Sequence, residues 1–306
     1  MAKRAQITVT WAGIEGAEPL EVAYLEDGPA DGPLALCLHG FPDHAPTWEA
    51  LLSDLAAAGF HAVAPWMRGY APTAVPADGR YQSAALALDA LALADALAPG
   101  DHPAVLVGHD WGAIAAYPAV VHRPERFQRL VAMSVPHPAV LAARFFTNPT
   151  QLKRSWYTFF FQLPLAGMVV EGADFALIDM LWRDWSPGLT PPADHLRGVK
   201  EALGAPGSLD AALGYYRQLW DTTRHDPALA AVQGAANGWV PVPTLYLHGA
   251  DDGCIGDETV DAGAMKPFFP AGVDVAVLPG VGHFLHLEDP AGVNARIVEF
   301  LTADRP

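Results

Sequence analysis

Several kinds of residue are scarce in this sequence, and each shortage excludes a class of protein. Only two of the 306 residues are cysteine, Cys37 and Cys254, so we expect no disulfide framework and a reducing compartment. Basic residues number 18 against 34 acidic ones, and the net charge of -16 argues against nucleic acid and anionic membranes as partners. Uninterrupted apolar runs stay below the ~18 residues of a spanning helix, and the N-terminus lacks an apolar signal region. A cytoplasmic protein is expected.

Cofactor and metal patterns are lacking as well. The glycines do not follow the G-x-G-x-x-G spacing of a dinucleotide-binding turn, so no cofactor is implied. His286 lies three residues after His283, but no set of acidic or cysteine ligands accompanies the pair. We therefore expect no bound metal.

What is abundant is apolar sequence, at 51% of residues against 17% charged, which predicts a globular protein with a large core. Strand-like and helix-like segments alternate in the first half of the chain, which is typical of a parallel sheet with helical crossovers. Strands are predicted at residues 7–11, 20–25, 34–38, 61–64, 104–107, 129–135, 243–247 and 273–278, and helices at 48–58, 83–97 and 291–302.

Strand patterns disappear for about a hundred residues in the middle of the chain. Aromatic and helical segments replace them, with a Pro- and Gly-rich loop at residues 186–192. The sequence therefore predicts a core formed by residues 1–136 and 239–306, with a helical insertion at residues 137–238 lying over a continuous sheet.

The segment Gly108-His109-Asp110-Trp111-Gly112 has the Gly-x-nucleophile-x-Gly form of a nucleophile elbow, with aspartate where serine is usual. A predicted strand precedes it and a predicted helix follows it, as an elbow requires. A carboxylate attacks saturated carbon and forms an alkyl ester of the protein, so epoxides or alkyl halides are the implied substrates. The structural alternative is an aspartate that only caps the helix.

Candidate partners for this nucleophile follow later strands. His283, in Gly280-Val281-Gly282-His283, comes directly after the predicted strand at 273–278 and is the candidate general base. Asp252 follows another strand end and can orient the imidazole, with its neighbour Asp251 as the competing candidate.

The turn His39-Gly40-Phe41-Pro42 follows the predicted strand at 34–38. The backbone amides of Phe41 and Trp111 are expected to form an oxyanion hole for hydrolysis of the Asp110 ester. His39 is expected to hold this loop, and the sequence leaves open whether the peptide before Pro42 is cis.

Together with Arg68-Gly69-Tyr70, these segments resemble the epoxide hydrolases of the α/β-hydrolase fold, over nearly the whole chain. The resemblance implies a mostly parallel sheet with helices on both faces and a helical cap inserted after the sixth core strand. It also implies two cap tyrosines that donate to the epoxide oxygen. Tyr157, shortly before Phe161-Gln162-Leu163-Pro164, and Tyr216, in Tyr215-Tyr216-Arg217, match those positions. Tyr215 and Tyr246 are weaker candidates, and the structural alternative is that all are core aromatics.

Haloalkane dehalogenases share the aspartate elbow and remain the alternative. They hold the departing halide with ring nitrogens or an amide. Trp111 could supply one donor, and Trp156, Trp182 or Trp185 a second, because Phe41 occupies the place where asparagine is common. A third hypothesis, a ligand-binding homologue without turnover, is disfavoured because the whole triad is present.

The apolar residues of the insertion suit a small apolar epoxide substrate. For residues 159–170 two roles stay open, packing of the cap on the core or a homodimer surface.

Overall fold

The fold is built on one eight-stranded sheet, seen in a computed structural model that describes residues 2–98 and 102–303. The strand order is β1-β2-β4-β3-β5-β6-β7-β8, with β2 antiparallel to β1 and β4 and all other pairs parallel. The strands are β1 (Lys3–Val9), β2 (Leu20–Asp27), β3 (Leu34–Leu38), β4 (His61–Pro65), β5 (Ala104–His109), β6 (Phe127–Met133), β7 (Thr244–Gly249) and β8 (Val273–Leu278). Every residue of β3, β4, β5 and β7 is buried, as expected for parallel strands covered on both faces.

Helices cover the sheet and fill the segment between β6 and β7. The core helices are α1 (Glu49–Ala57), α2 (Ser83–Leu97), α3 (Trp111–His122), α12 (Leu285–Glu288) and α13 (Pro290–Thr302), and a short α11 (Ala262–Met265) follows β7. The segment between β6 and β7 holds α4 (Pro138–Phe145), α5 (Pro149–Arg154), α6 (Trp156–Phe160), α7 (Ala166–Trp185), α8 (Ala193–Gly204), α9 (Ser208–Trp220) and α10 (Ala230–Ala235). α7 is interrupted by three left-handed residues at 173–175.

The predicted α/β-hydrolase fold is confirmed, and the predicted helix at 83–97 matches α2 in full. Two strands lie a few residues earlier in the chain than predicted. β1 begins at Lys3 and ends at Val9, because its pairing with β2 stops there and Trp11 turns inward toward Asp89. β6 ends at Met133 because Ser134 has a positive φ of 63°, which an extended strand does not accommodate.

The helical segment between β6 and β7 coincides with the predicted insertion at residues 137–238, and its role as a cap stays a prediction. The loop at 186–192 is present. Along residues 159–170, Phe161 and Val170 are buried whereas Met168 is 72% exposed, so this stretch contributes to both packing and surface. Over residues 2–98 and 102–303, no helix is both long and apolar enough to cross a bilayer.

A buried ion pair fastens the loop after β4 to α2. The guanidinium of Arg68 donates to both carboxylate oxygens of Asp89, at 2.7 and 2.9 Å, and lies 4.6 Å from the centre of the Trp11 ring. Trp11 also donates to Asp89 at 2.7 Å. The Arg68 carbonyl in turn accepts the Tyr215 hydroxyl at 2.7 Å, so this cluster connects the core to α9.

Replacing Asp89 with alanine is expected to destabilise the fold by about 3–5 kcal/mol, because it removes the main partner of a buried guanidinium. Chemical denaturation of the variant measures this. Glu201→Ala is the control, since its pair with Arg197 is exposed and spans 3.8 Å, and little change in stability is expected. If both substitutions lowered the free energy of unfolding equally, the buried pair of Arg68 and Asp89 would be no more stabilising than an exposed one.

Candidate active site

Asp110 lies at the turn between β5 and α3, in a backbone conformation that few residues adopt. Its φ is 52° and its ψ is -118°, and its side chain is buried. The turn is tight enough to need glycine around it. A Cβ on Gly112 would collide with the Leu38 carbonyl, and one on Gly40 would collide with the Asp110 carboxylate. Strain of this kind is typical of functional positions, and it projects the carboxylate beyond the end of β5.

The two oxygens of the Asp110 carboxylate have different surroundings. Oδ1 accepts the backbone N–H of Phe41 at 2.8 Å, and the Trp111 amide donates to the same carboxylate. Oδ2 lies 3.7 Å from Nε2 of His283. Burial raises the pKa of Asp110 to about 6, although His283 and the two amides favour the ionised form. The carboxylate is therefore ionised at neutral pH but poorly solvated.

His283 is oriented by contacts on three sides. Its Nδ1–H donates to Oδ2 of Asp252 at 2.9 Å, which directs Nε2 toward Asp110. Its backbone carbonyl accepts from His109 and from Ser134, each at 2.9 Å. Burial lowers the pKa of His283, but the charges of Asp252 and Asp110 outweigh burial and raise it.

Two backbone amides hold the Asp252 carboxylate in place. Its Oδ1 accepts the backbone N–H groups of Cys254 at 2.7 Å and of Ile255 at 2.9 Å, which leaves Oδ2 for His283. Its neighbour Asp251 is exposed. The geometry therefore favours Asp252 over Asp251 as the partner of the imidazole.

Tyr157 on α6 and Tyr216 on α9 approach each other above Asp110, with ring centres 5.6 Å apart. The Tyr157 hydroxyl lies 3.2 Å from the thiol of Cys254. The Tyr216 hydroxyl is buried and makes no hydrogen bond of ordinary geometry within the described residues, although the edge of Trp111 lies close to its ring. Burial raises the pKa of both phenols well above the usual value, and Asp110 adds to this. Both hydroxyls thus remain protonated donors.

A cavity of about 300 Å³ lies over the nucleophile. Asp110, Trp111, Tyr157 and Tyr216 form its buried end. Most of the other lining side chains are apolar or aromatic, and the uncharged polar ones are Ser83, Gln151, Ser155, Thr158, Gln233 and Asn237. The exposure of Phe146 and Leu219, at 64% and 45%, marks the opening of the cavity. Among the described residues that line it there is no lysine, arginine or histidine. Such a cavity suits a neutral, mostly apolar ligand.

The other candidate residues have partners elsewhere. Tyr215 donates to the Arg68 carbonyl, and the Tyr246 hydroxyl pairs with Nδ1 of His248 at 2.7 Å. His39 bridges the Gly40 carbonyl and the Met67 amide, which fits the expected role of holding the loop. The peptide between Phe41 and Pro42 is cis.

The three tryptophans of residues 137–238 that were considered as halide donors are placed differently from one another. The indole N–H of Trp182 is already bonded to the Pro42 carbonyl at 2.8 Å, and Trp156 is 41% exposed. Trp185 packs its ring against His283, with centres 5.1 Å apart. None of the three lines the cavity, whereas both tyrosines do.

Some residues of the site were not anticipated from the sequence. Ser134 could have been found, since it follows a strand at the same sheet edge as Asp110. Cys254 entered the sequence analysis only as evidence against a disulfide framework, because no motif places a thiol two residues after Asp252. A link between Asp43 and His195 on α8, at 2.8 Å, joins two segments 152 residues apart and has no sequence signal.

Known proteins are similar to this chain in sequence and in fold. The profile of the alpha/beta hydrolase fold family matches residues 33–290. Epoxide hydrolase 3 from Mus musculus is 30% identical over 286 residues, covering 92% of this chain and 74% of the mouse protein. An epoxide hydrolase from Caballeronia sordidicola is 29% identical over 300 residues, covering 88% of each chain.

Solved structures agree with the sequence comparisons. An epoxide hydrolase from Bacillus megaterium, crystallised with an inhibitor, is 26% identical and superposes with a TM-score of 0.78, covering 95% of this chain and 99% of that one. An epoxide hydrolase from Vigna radiata, also 26% identical, superposes with a TM-score of 0.77, covering 99% and 98%. The chain therefore belongs to the alpha/beta hydrolase fold family, in the group of its epoxide hydrolases.

Proposed function

We propose that this enzyme converts a small apolar epoxide and water into a vicinal diol through a covalent ester of Asp110. The observation that carries the proposal is that two protonated phenols, Tyr157 and Tyr216, line the same cavity as the carboxylate. An epoxide oxygen leaves as an alkoxide, which is a poor leaving group, so ring opening needs an acid beside the nucleophile.

In the first half-reaction the tyrosine hydroxyls hydrogen-bond the epoxide oxygen while Asp110 attacks a ring carbon. Oδ2 is the attacking atom, because Oδ1 accepts the Phe41 amide. The carbon–oxygen bond of the ring breaks, and the departing oxygen takes a phenolic proton. The product is a hydroxyalkyl ester on Asp110 and a tyrosinate.

In the second half-reaction water hydrolyses this ester. His283, oriented by Asp252, removes a proton from the water as it attacks the ester carbonyl. Negative charge develops on Oδ1, which already accepts the Phe41 amide, and the Trp111 amide donates to the same carboxyl group. Collapse of this intermediate breaks the bond between the carboxyl carbon and Oδ2, and the departing alkoxide takes the proton of the new carboxyl group to give the diol. The proton on His283 restores the phenol, so the carboxylate, the imidazole and the phenol all return to their starting states. Loss of one such amide donor typically costs about 3–4 kcal/mol of barrier.

A single turnover in ¹⁸O-water with excess enzyme tests the ester pathway. Because water attacks the carboxyl carbon, the oxygen that enters the diol comes from Asp110 and is ¹⁶O in the first turnover. Direct attack of water on the epoxide would instead place ¹⁸O in the diol at once. Mass analysis of the diol separates the two routes.

Haloalkane dehalogenation remains the second candidate, since Trp111 can donate to a halide beside the same nucleophile. It would need a second donor at the cavity. The observed lining supplies the phenols of Tyr157 and Tyr216 there, and this favours ring opening of an epoxide over release of a halide.

Replacing Tyr216 with phenylalanine is expected to lower kcat/KM for an epoxide by about 10²–10⁴-fold, because it removes one proton donor to the leaving oxygen. Steady-state kinetics on a terminal epoxide measures this. Tyr215→Phe is the matched control on the same helix, as its hydroxyl is bonded to the Arg68 carbonyl. A larger kinetic loss from Tyr215→Phe than from Tyr216→Phe would contradict the assignment.

The pH dependence follows from the raised pKa of Asp110. Only the ionised carboxylate attacks, so kcat/KM should rise as the pH increases through about 6 and then level off. The apparent value belongs to the coupled pair of Asp110 and His283 rather than to one residue. A profile of kcat/KM that falls over this range would exclude Asp110 as the nucleophile.

We further propose that residues 137–238 act as a cap, because α6 and α9 carry the two tyrosines over the end of β5. A cytoplasmic location is proposed from the two cysteines, both buried and unpaired.

A homodimer surface is proposed on residues 159–170, where the side chains of Leu165 and Met168 are exposed.

A further inference from the structure

Three potential metal ligands of different chemistry converge at the nucleophile. One carboxylate oxygen of Asp110, one ring nitrogen of His283 and the thiol of Cys254 all lie within 4.8 Å of one another, and all three residues are buried. The proposed hydrolysis uses the first two and leaves the thiol without a role. Cys254 therefore gives this site a potential metal-binding thiol that the proposed reaction does not use.

The imidazole of His283 has the orientation of a metal-binding histidine. Nδ1–H is held by the Asp252 carboxylate, while Nε2 is fully buried and has no hydrogen-bond partner among the described residues. Zinc-binding histidines usually donate their second ring nitrogen to a carboxylate in this way, which fixes the tautomer and keeps the lone pair on the ligating atom. Nε2 here faces Asp110.

The spacing of these atoms is close to that of a tetrahedral site. With metal–ligand bonds of about 2.0–2.3 Å, neighbouring ligand atoms lie about 3.3–3.8 Å apart. The separation between Nε2 of His283 and Oδ2 of Asp110 is 3.7 Å. The Cys254 sulfur lies within 4.8 Å of a carboxylate oxygen of Asp110 and a ring nitrogen of His283, and Asp110 is the member of this set that also lines the cavity.

We propose that Asp110, His283 and Cys254 form an inhibitory binding site for a thiophilic divalent ion such as Zn²⁺. Sulfur, imidazole and carboxylate are a ligand set that Zn²⁺ accepts, and the thiol contributes the selectivity for soft ions over Mg²⁺ or Ca²⁺. Binding forms a metal–sulfur bond and releases the thiol proton to solvent. The bound ion blocks the carboxylate that would attack and the nitrogen that would accept a proton, so turnover stops.

Binding is tested without any substrate, which keeps it separate from the proposed function. Co²⁺ replaces Zn²⁺ as the probe, because a cobalt–thiolate bond gives a charge-transfer absorption in the near ultraviolet. The wild-type protein is expected to bind one Co²⁺ with this absorption, and Zn²⁺ is expected to displace it. Cys254→Ala should abolish the absorption and weaken Zn²⁺ binding by at least about tenfold, since loss of even an outer partner of a ligand costs this much.

Cys37→Ala is the matched control, because Cys37 is the other buried thiol and lies within β3. It should keep both the absorption and the Zn²⁺ affinity. The wild-type spectrum tests sulfur ligation even if the Cys254 variant does not fold. A wild-type protein without the thiolate absorption, or unchanged Zn²⁺ affinity in folded Cys254→Ala, would overturn the proposal.

Discussion

Asp110→Ala is expected to lower kcat on an epoxide by at least about 10⁴-fold and to abolish covalent labelling by substrate. The carboxylate supplies the electron pair that opens the ring, and no other carboxylate lines the described cavity. In enzymes with a covalent intermediate, removal of the nucleophile leaves only binding and electrostatic effects to accelerate the reaction. Steady-state diol formation, with circular dichroism to confirm folding, measures the loss.

Asp251→Ala is the matched control for this loss. Asp251 is an exposed acid next to Asp252, and it is Asp252 that bonds His283, so near-normal turnover is expected. If Asp110→Ala retained most of the activity while Asp251→Ala lost it, the nucleophile would lie elsewhere.

His283→Gln is expected to stop the enzyme after one alkylation. Asp110 keeps its amide donors and both tyrosines, so ring opening survives, but glutamine cannot accept the proton of the attacking water. Rapid-quench kinetics should therefore show a burst of about one equivalent of consumed epoxide, followed by turnover reduced about 10²–10⁴-fold.

His286→Gln is the matched control for the burst expected of His283→Gln. His286 is also buried and lies three residues later, but its Nε2 bonds Thr47 at 2.7 Å and its ring stacks on Trp48. Its substitution should leave continuous turnover without a stalled burst. The opposite pattern, a burst in His286→Gln and continuous turnover in His283→Gln, would reverse the assignment of the base.

The fold was predictable where local pattern and tertiary packing agree. α2 combines an unbroken run of helix-forming Ala and Leu with burial along most of its length, so its bounds follow from the sequence. β1 was misplaced because the alternation of Ile7, Val9 and Trp11 continues past the point where pairing ends. The direction of Trp11 is set by the carboxylate of Asp89, 78 residues away, which local pattern cannot indicate.

The residues of the candidate site also differ in whether the sequence alone predicts them. Asp110 and His283 follow strand ends in motifs, so topology alone predicts that they meet at one edge of the sheet. The two tyrosines depended on resemblance to a family, because nothing local distinguishes Tyr216 from Tyr215. The contact of Cys254 with Tyr157 arises from packing of α6 on the loop after β7, and it became visible only in three dimensions.

The most direct test of the mechanism is the intact mass of His283→Gln after exposure to a mixed panel of small epoxides and haloalkanes. The proposed mechanism predicts a mass gain equal to one whole epoxide, mapped to Asp110 by peptide analysis. A gain equal to an alkyl group without its halogen would identify a dehalogenase instead. No adduct at Asp110 in a folded variant that still consumes epoxide would contradict the ester mechanism.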